Sequence, residues 1–135
     1  LLPSNTVEWL GWVPWLRMRS VYQDSSVAAF PSVCVEGFGM VALEAMAAGA
    51  PVVASKTPGF EAQLTDDAGI IVDDTADHNA LAEAIVKVLT DPAEARRLSS
   101  VGKVRAQQYT VENAVGALEA AMRQNFTVAA RGLRR

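Results

Sequence analysis

Residues 31–55 read Pro31-Ser-Val-Cys-Val-Glu-Gly-Phe-Gly-Met-Val-Ala-Leu-Glu-Ala-Met-Ala-Ala-Gly-Ala-Pro-Val-Val-Ala-Ser55, and they carry the clearest structural pattern of the chain. Its segment 40–48 consists of strong helix formers, and the glycine and proline that follow are typical of a helix end. Short apolar runs at residues 27–30 and 51–54 flank the helix and predict buried strands. Strands joined this tightly through a helix are expected to be parallel.

The turn that enters this helix contains Gly37 and Gly39, which let the backbone approach a ligand closely. We expect free N–H groups at residues 40–42, and these favour an anion together with the helix dipole. Glu36 and Glu44 flank that anion site, and carboxylates accept hydrogen bonds from sugar hydroxyls. The residues therefore predict a ligand with phosphates in its middle and polyols at both ends.

This segment resembles the donor-binding lobe of retaining glycosyltransferases of the GT-B fold, of the family 4 type. Glu36 and Glu44 have that family's spacing of seven intervening residues, and the runs at 36–40 and 43–55 match its pattern almost without interruption. A weaker resemblance extends from the run at 7–11 to the helices after residue 72. One departure is Pro58, which stands where many members have the first glycine of a pair.

The resemblance implies roles for these residues. Glu36 would be the catalytic residue and contact hydroxyl groups of the transferred sugar, and Glu44 would contact the ribose. The backbone amides of Phe38 and Gly39 would hold the sugar, and those of the first helical residues the diphosphate. The implied donor-binding residues are Glu36, Gly37, Phe38, Gly39, Met40, Val41 and Glu44.

The resemblance also bears on the nucleobase and on metals. Trp12 and Val13 would line the base pocket, whereas the alternative for Trp9, Trp12 and Trp15 is packing in a core or between lobes. No cofactor and no metal ion is implied, because dipoles and basic side chains would stabilise the leaving diphosphate. The nucleoside-diphosphate sugar is then the donor substrate.

The whole chain alternates between apolar runs and helical patterns, which predicts an α/β fold with a Rossmann-like parallel sheet of about four strands flanked by helices. We expect residues 1–124 to form a single truncated donor-binding domain, part of a GT-B C-terminal domain, and residues 125–135 a basic, flexible tail. Strands are expected at 6–10, 27–30, 51–54 and 70–72, and helices at 16–25, near 60–64 and after the N-cap residues Asp77, Asp91 and Thr110.

In the usual sheet order, 3-2-1-4-5-6, the strand at Val7 corresponds to the third and the strand at Val27 to the fourth. The strands between them are not in this sequence, so we expect an open edge beside Val27. Open edges recruit other strands. Either the Val7 strand moves there, or two copies pair as a homo-oligomer, or a second chain supplies the missing N-terminal part.

The amino-acid composition bears on the number of domains, the class of partner and the cellular location. A chain of 135 residues with 50% hydrophobic and 20% charged residues has material for one core. The net charge of −3 argues against a nucleic-acid partner. No apolar run approaches the roughly 20 residues of a membrane helix, and the single cysteine, Cys34, fits a reducing compartment. We expect a cytoplasmic protein, and contact of its basic tail with the inner face of the membrane is a weaker alternative.

The sequence thus indicates an enzyme by family, a glycosyltransferase of the hexosyltransferase type. It would bind a nucleoside-diphosphate sugar for transfer to a glycan, lipid or small-molecule acceptor. The chain alone is expected to be inactive, because reactant alignment and charge stabilisation supply most of the rate. The alternatives are a non-catalytic nucleotide-sugar-binding or assembly module, and another GT-B enzyme such as a nucleotide-sugar epimerase.

Overall fold

The structure is a computed structural model that describes residues 6–74 and 77–132, with side chains as far as residue 124. Helices and strands alternate through the first half of the chain, and three helices follow. The elements are α1 (Trp15–Gln23), β1 (Ala28–Phe30), α2 (Met40–Ala48), β2 (Val52–Ser55), α3 (Pro58–Gln63), β3 (Ile70–Val72), α4 (His78–Thr90), α5 (Pro92–Ala106) and α6 (Val111–Gly132).

The sheet is parallel, with the strand order β1-β2-β3. Ala28 lies opposite Val52, and Val53 lies opposite Ile70. Every residue of β2 is buried, as expected for a central strand covered on both faces. The predicted α/β fold with a parallel sheet flanked by helices is therefore confirmed.

The prediction of a strand at residues 6–10 is wrong, and the sheet has three strands in the described part of the chain. Val7 is 67% exposed and Trp9 is 91% exposed, and residues 7–10 have no regular secondary structure. A strand exists only when a neighbouring strand accepts its hydrogen bonds. Residues 6–10 do not pair with β1. The alternative in which this segment occupies the open edge beside Val27 is therefore not observed within the chain.

The core is built around α2, whose Ala42, Ala45 and Met46 are at most 1% exposed. Small residues on α2 let α5 approach closely, and a Cβ added to Gly102 of α5 would lie 3.0 Å from Met46 Cγ. A second apolar cluster of Val53, Val72, Val88 and Leu98 packs α4 and α5 against β2 and β3. The buried residues of α2 belong to the first cluster, which therefore anchors α2 and the turn that precedes it.

The predicted helix starts are confirmed. Asp77 Oδ1 accepts the backbone N–H groups of Asn79 and Ala80 at 2.9 Å, and Asp91 caps α5 in the same way. Helix α6 starts after Thr110 and continues to Gly132. The separate flexible tail at 125–135 stays a prediction, and its last three residues lie outside the described ones.

Candidate functional site

The glycine loop, residues 36–39, is the last part of the connection from β1 to α2 and ends in a left-handed residue. Gly39 is the N-cap of α2 with φ 77° and ψ 39°, a conformation that L side chains rarely adopt. A Cβ at this position would also lie 2.9 Å from the Phe60 ring. Gly37 has no such constraint, because an added Cβ there would meet open space. Only the second of the two predicted glycines is therefore required by the backbone.

Two backbone amides at the start of α2 are available to a ligand. Met40 and Val41 are the first two helical residues, so their N–H groups have no acceptor within the helix. Their side chains are 55% and 38% exposed. The prediction that the N–H of Ala42 is also free is wrong, because it donates to the carbonyl oxygen of Gly39 at 3.0 Å. The amides of Met40 and Val41 and the helix dipole form a positive end at the protein surface.

Glu36 precedes this positive helix end in the chain, and Glu44 lies within the helix that follows it. The Glu36 side chain is partly buried, and its Oε1 accepts a hydrogen bond from Ser32 Oγ at 3.1 Å. Glu44 is exposed on α2, one turn into the helix. Burial raises the pKa of Tyr22 on α1, and the negative charge of the Glu44 carboxylate adds to this increase. Sequence reasoning missed Ser32, since nothing in an isolated serine four residues before a glutamate predicts their contact.

Two open cavities adjoin Glu44. One, of about 630 Å³, lies between α1 and α2 and is lined by Trp15, Arg19, Tyr22 and Glu44, among others. The second, of about 560 Å³, lies between α2 and the start of α6 and includes Phe38 and Tyr109. The predicted base-pocket residues, Trp12 and Val13, line neither of these two cavities. Both lie in the segment before α1, where Trp12 is 86% exposed and Val13 is partly buried.

The glycine loop rests on α3. The backbone N–H of Gly59 donates to the carbonyl oxygen of Glu36 at 3.1 Å. Gln63, at the other end of α3, is fully buried, and its Nε2 donates to the carbonyl oxygen of Phe38 at 3.0 Å. Sequence reasoning missed Gln63, because a helix of six residues is too short to show which face is buried.

Arg105 at the end of α5 fixes α3 from the other side. Its Nε donates to the carbonyl oxygen of Gln63 at 3.2 Å, and its Nη2 donates to that of Ala62 at 2.8 Å. Nη2 also donates to Tyr109 Oη at 2.7 Å, and the Tyr109 ring contacts Phe38 edge-on at 5.9 Å between centroids. A continuous set of contacts therefore links α5, α3 and the glycine loop.

Lys56 follows directly after β2 and places a positive charge at the carboxyl ends of the strands. The chain that leads to the glycine loop also leaves β1 at this end of the sheet. Its Nζ lies 2.7 Å from Asp73 Oδ1 and 3.8 Å from Glu61 Oε1. The hydrogen bond that Lys56 Nζ donates to Asp73, followed by the charges of both carboxylates, raises the pKa of Lys56. Lys56 is therefore neutralised by two carboxylates.

Residues 1–105 match the family described as "Glycosyl transferases group 1". The chain is 34% identical over 110 residues to the D-inositol 3-phosphate glycosyltransferase of Corynebacterium urealyticum, covering 82% of this chain and 26% of that protein. It is 32% identical over 107 residues to the O-antigen chain mannosyltransferase B of Escherichia coli, covering 79% and 27%.

A solved structure is also similar. The sucrose-phosphate synthase from Thermosynechococcus elongatus superposes with a TM-score of 0.68 at 36% sequence identity, over 81% of this chain and 27% of that one. The chain thus spans about a quarter of the length of these proteins. Among the residues that the structure describes, no helix combines the length and the apolar character needed to cross a membrane.

Proposed function

The chain belongs to the group 1 glycosyl transferases, which have the GT-B fold, and from this we propose that it binds a nucleoside-diphosphate sugar as the donor for retaining transfer of a hexose to a glycan, lipid or small-molecule acceptor. The observation that carries the proposal is the start of α2. The amides of Met40 and Val41 begin this helix, Glu36 precedes Met40 by four residues in the chain, and Glu44 lies one turn into the helix. An anion and two polyol groups suit this arrangement.

In this proposal each part of the donor has its own partners. The diphosphate lies at the amides of Met40 and Val41, where the helix dipole stabilises the charge that develops on it as the leaving group. Glu36 accepts hydrogen bonds from hydroxyls of the transferred sugar, and the contact with Ser32 Oγ orients its carboxylate. The amides of Phe38 and Gly39 hold the sugar, and no metal ion takes part.

The nucleoside is proposed to lie beside Glu44. Glu44 accepts hydrogen bonds from the ribose hydroxyls, and the cavity of about 630 Å³ that it lines is large enough for a base. Trp15, which is 80% exposed and lines this cavity, offers a ring face for stacking. The assignment of Trp12 and Val13 to the base pocket stays a prediction.

The first experiment is calorimetric titration of the chain with uridine diphosphate, guanosine diphosphate and the corresponding nucleotide hexoses. Glu44→Gln is expected to weaken binding of both kinds of ligand by about 10-fold or more, because a hydrogen bond to a charged group is lost. Glu36→Gln is expected to weaken only the nucleotide hexoses. Glu83→Gln on α4 is the matched control and leaves all affinities unchanged. A folded chain that binds none of these ligands refutes the proposal.

The open edge of the sheet suggests a partner. Of its two edges, β1 uses one to pair with β2, and no described residue occupies the other. In the part of the chain that precedes β1, four large apolar side chains are exposed, namely Val7, Trp9, Trp12 and Trp15. We propose that this edge pairs with a further segment of the donor lobe, from the same longer protein, a second chain or a second copy. Sedimentation of the 135-residue chain tests the last option, since a monomer at all concentrations excludes it.

The cytoplasmic location, contact of the basic tail with a membrane surface, and the inactivity of the chain alone stay predictions. Product analysis with a labelled nucleotide hexose distinguishes transfer from epimerisation, and binding without turnover in the presence of an acceptor lobe would favour a binding module.

A further inference from the structure

We propose that Gln63 is a positioning residue, which fixes the glycine loop in the shape that binds the sugar of the donor. It does so through its side-chain amide, from a helix outside the segment that contains Glu36 and Glu44. The inference rests on the proposed function and adds a residue that determines the geometry of the same site.

The contact of Gln63 controls one specific peptide group. Nε2 donates to the carbonyl oxygen of Phe38 at 3.0 Å, and this carbonyl belongs to the same planar peptide as the N–H of Gly39. In a trans peptide the C=O and N–H bonds point in opposite directions. A bond that fixes the Phe38 carbonyl toward Gln63 therefore aims the Gly39 N–H away from it. That N–H is one of the two amides proposed to hold the sugar.

The second observation is an unpaired atom. Gln63 is 0% exposed, and its Oε1 has no hydrogen-bond partner among the described residues. A buried acceptor without a donor destabilises the folded state, and a methionine would fill similar space without this penalty. The amide at this position is thus unfavourable for stability except for the one bond that it donates to the glycine loop.

Gln63 is itself firmly held. Its backbone carbonyl accepts a hydrogen bond from Arg105 Nε at 3.2 Å. At the opposite end of α3, the N–H of Gly59 donates to the carbonyl of Glu36 at 3.1 Å. Helix α3 therefore holds the glycine loop at two points, and the point at Phe38 is the one made by a side chain.

The test compares Gln63→Met with the wild-type 135-residue chain. The ligands are UDP-glucose and GDP-mannose, with UDP and GDP alone as reference. We expect the variant to bind the preferred nucleotide sugar about 3- to 10-fold more weakly, the effect of losing one positioned hydrogen bond. Binding of the nucleoside diphosphate alone is expected to change by less than about 2-fold, because the amides of Met40 and Val41 are not held by Gln63.

Two further measurements separate positioning from a structural role. The melting temperature of Gln63→Met is expected to remain within about 4 °C of the wild type, since the unpaired acceptor is removed along with the bond. The Gly39 amide signal in a nitrogen-15 correlation spectrum is expected to shift. Gln124→Met, the same change at an exposed position of α6, is the control and alters none of these quantities.

Equal affinity of Gln63→Met and the wild type for the nucleotide sugar overturns the inference. So does loss of both kinds of ligand together with a large fall in melting temperature, which would show a purely structural role. If the wild type binds no ligand, the proposed function fails, and the Gly39 signal of the free chain decides. A shift in Gln63→Met then supports control of the loop by Gln63, and an unchanged signal overturns it.

Discussion

Gly59 lies so close to Glu36 that its backbone N–H donates to the Glu36 carbonyl oxygen at 3.1 Å, and an added Cβ would lie only 2.7 Å from that oxygen. Gly59, the second residue of α3, thus limits where the backbone of Glu36 can lie. The atoms nearest to this added Cβ belong to the backbone of Glu36 and Phe38, so a side chain at position 59 could be accommodated only by moving the backbone. The position of Glu36 therefore depends on a glycine 23 residues away.

Gly59→Ala is expected to lower the free energy of unfolding by about 1–3 kcal/mol, because the new methyl group displaces the glycine loop. Binding of nucleotide hexoses is expected to weaken as well, since the loop carries Glu36. Urea denaturation and calorimetry measure the two effects.

Gly116→Ala is the matched control for this change. Gly116 lies within α6 and an added Cβ would meet nothing within 4 Å, so this variant is expected to be more stable by about 0.5–1 kcal/mol. Equal stability of Gly59→Ala and the wild type would show that the loop is not held by this contact.

Arg105→Lys is expected to lower the free energy of unfolding by about 1–2 kcal/mol. The guanidinium donates to the carbonyls of Ala62 and Gln63 at once, and it lies 5.1 Å from the centre of the Tyr109 ring. A lysine ammonium cannot reproduce this planar set of bonds. Arg96→Lys, an exposed change on the same helix, is expected to leave the urea midpoint unchanged. Identical midpoints for the two variants would contradict the assigned role.

Met46→Ala is expected to cost about 2–4 kcal/mol of stability, because Met46 is 1% exposed and fills the space between α2 and Gly102 of α5. Met122→Ala, at a side chain that is 49% exposed on α6, serves as the control and is expected to change stability by less than about 0.5 kcal/mol. Thermal unfolding measures both. A small loss for Met46→Ala would mean that α5 closes the space.

Glu94 provides a pH-dependent contribution. The hydrogen bond from Arg97, whose Nε lies 2.7 Å from Oε2, together with the charges of Arg97 and Lys87, lowers the pKa of Glu94 to about 2 against partial desolvation. The pKa in the folded state is thus below the ordinary value of 4.5. The stabilisation by ionised Glu94 is present above pH 4.5 and is lost as the pH falls toward 2.

Glu94→Gln is therefore expected to be less stable than the wild type at pH 7, by about 0.5 kcal/mol because the pair lies at the surface. The difference in melting temperature is expected to disappear by about pH 2. Glu83→Gln should show no such convergence, since the side chain has no ion pair among the described contacts. Parallel pH profiles for Glu94→Gln and the wild type would mean that the pair does not contribute.

Local signals made much of the fold predictable. Helix formers and a glycine stop determine the bounds of α2, aspartates and a proline start α4 and α5, and a continuous apolar run becomes the buried strand β2. The glycine at position 39 and the spacing of Glu36 and Glu44 also follow from residues close in sequence. The helix starts and stops depend on interactions between residues within about one helical turn of each other. The glycine requirement depends on the backbone conformation of a single residue.

The remaining features depend on residues far apart in sequence. Residues 6–10 carry a strand-like pattern but pair with none of the three strands of the described sheet. The support of the glycine loop by Gly59, Gln63 and Arg105 arises only when α3 and α5 pack beside it. The helices and the left-handed glycine were predictable from local runs of residues, because short-range sterics and hydrogen bonds specify them, and the spacing of the two glutamates is read directly from the chain. The carbonyl that each buried donor reaches was not predictable in this way, because such contacts depend on the packing of separate helices.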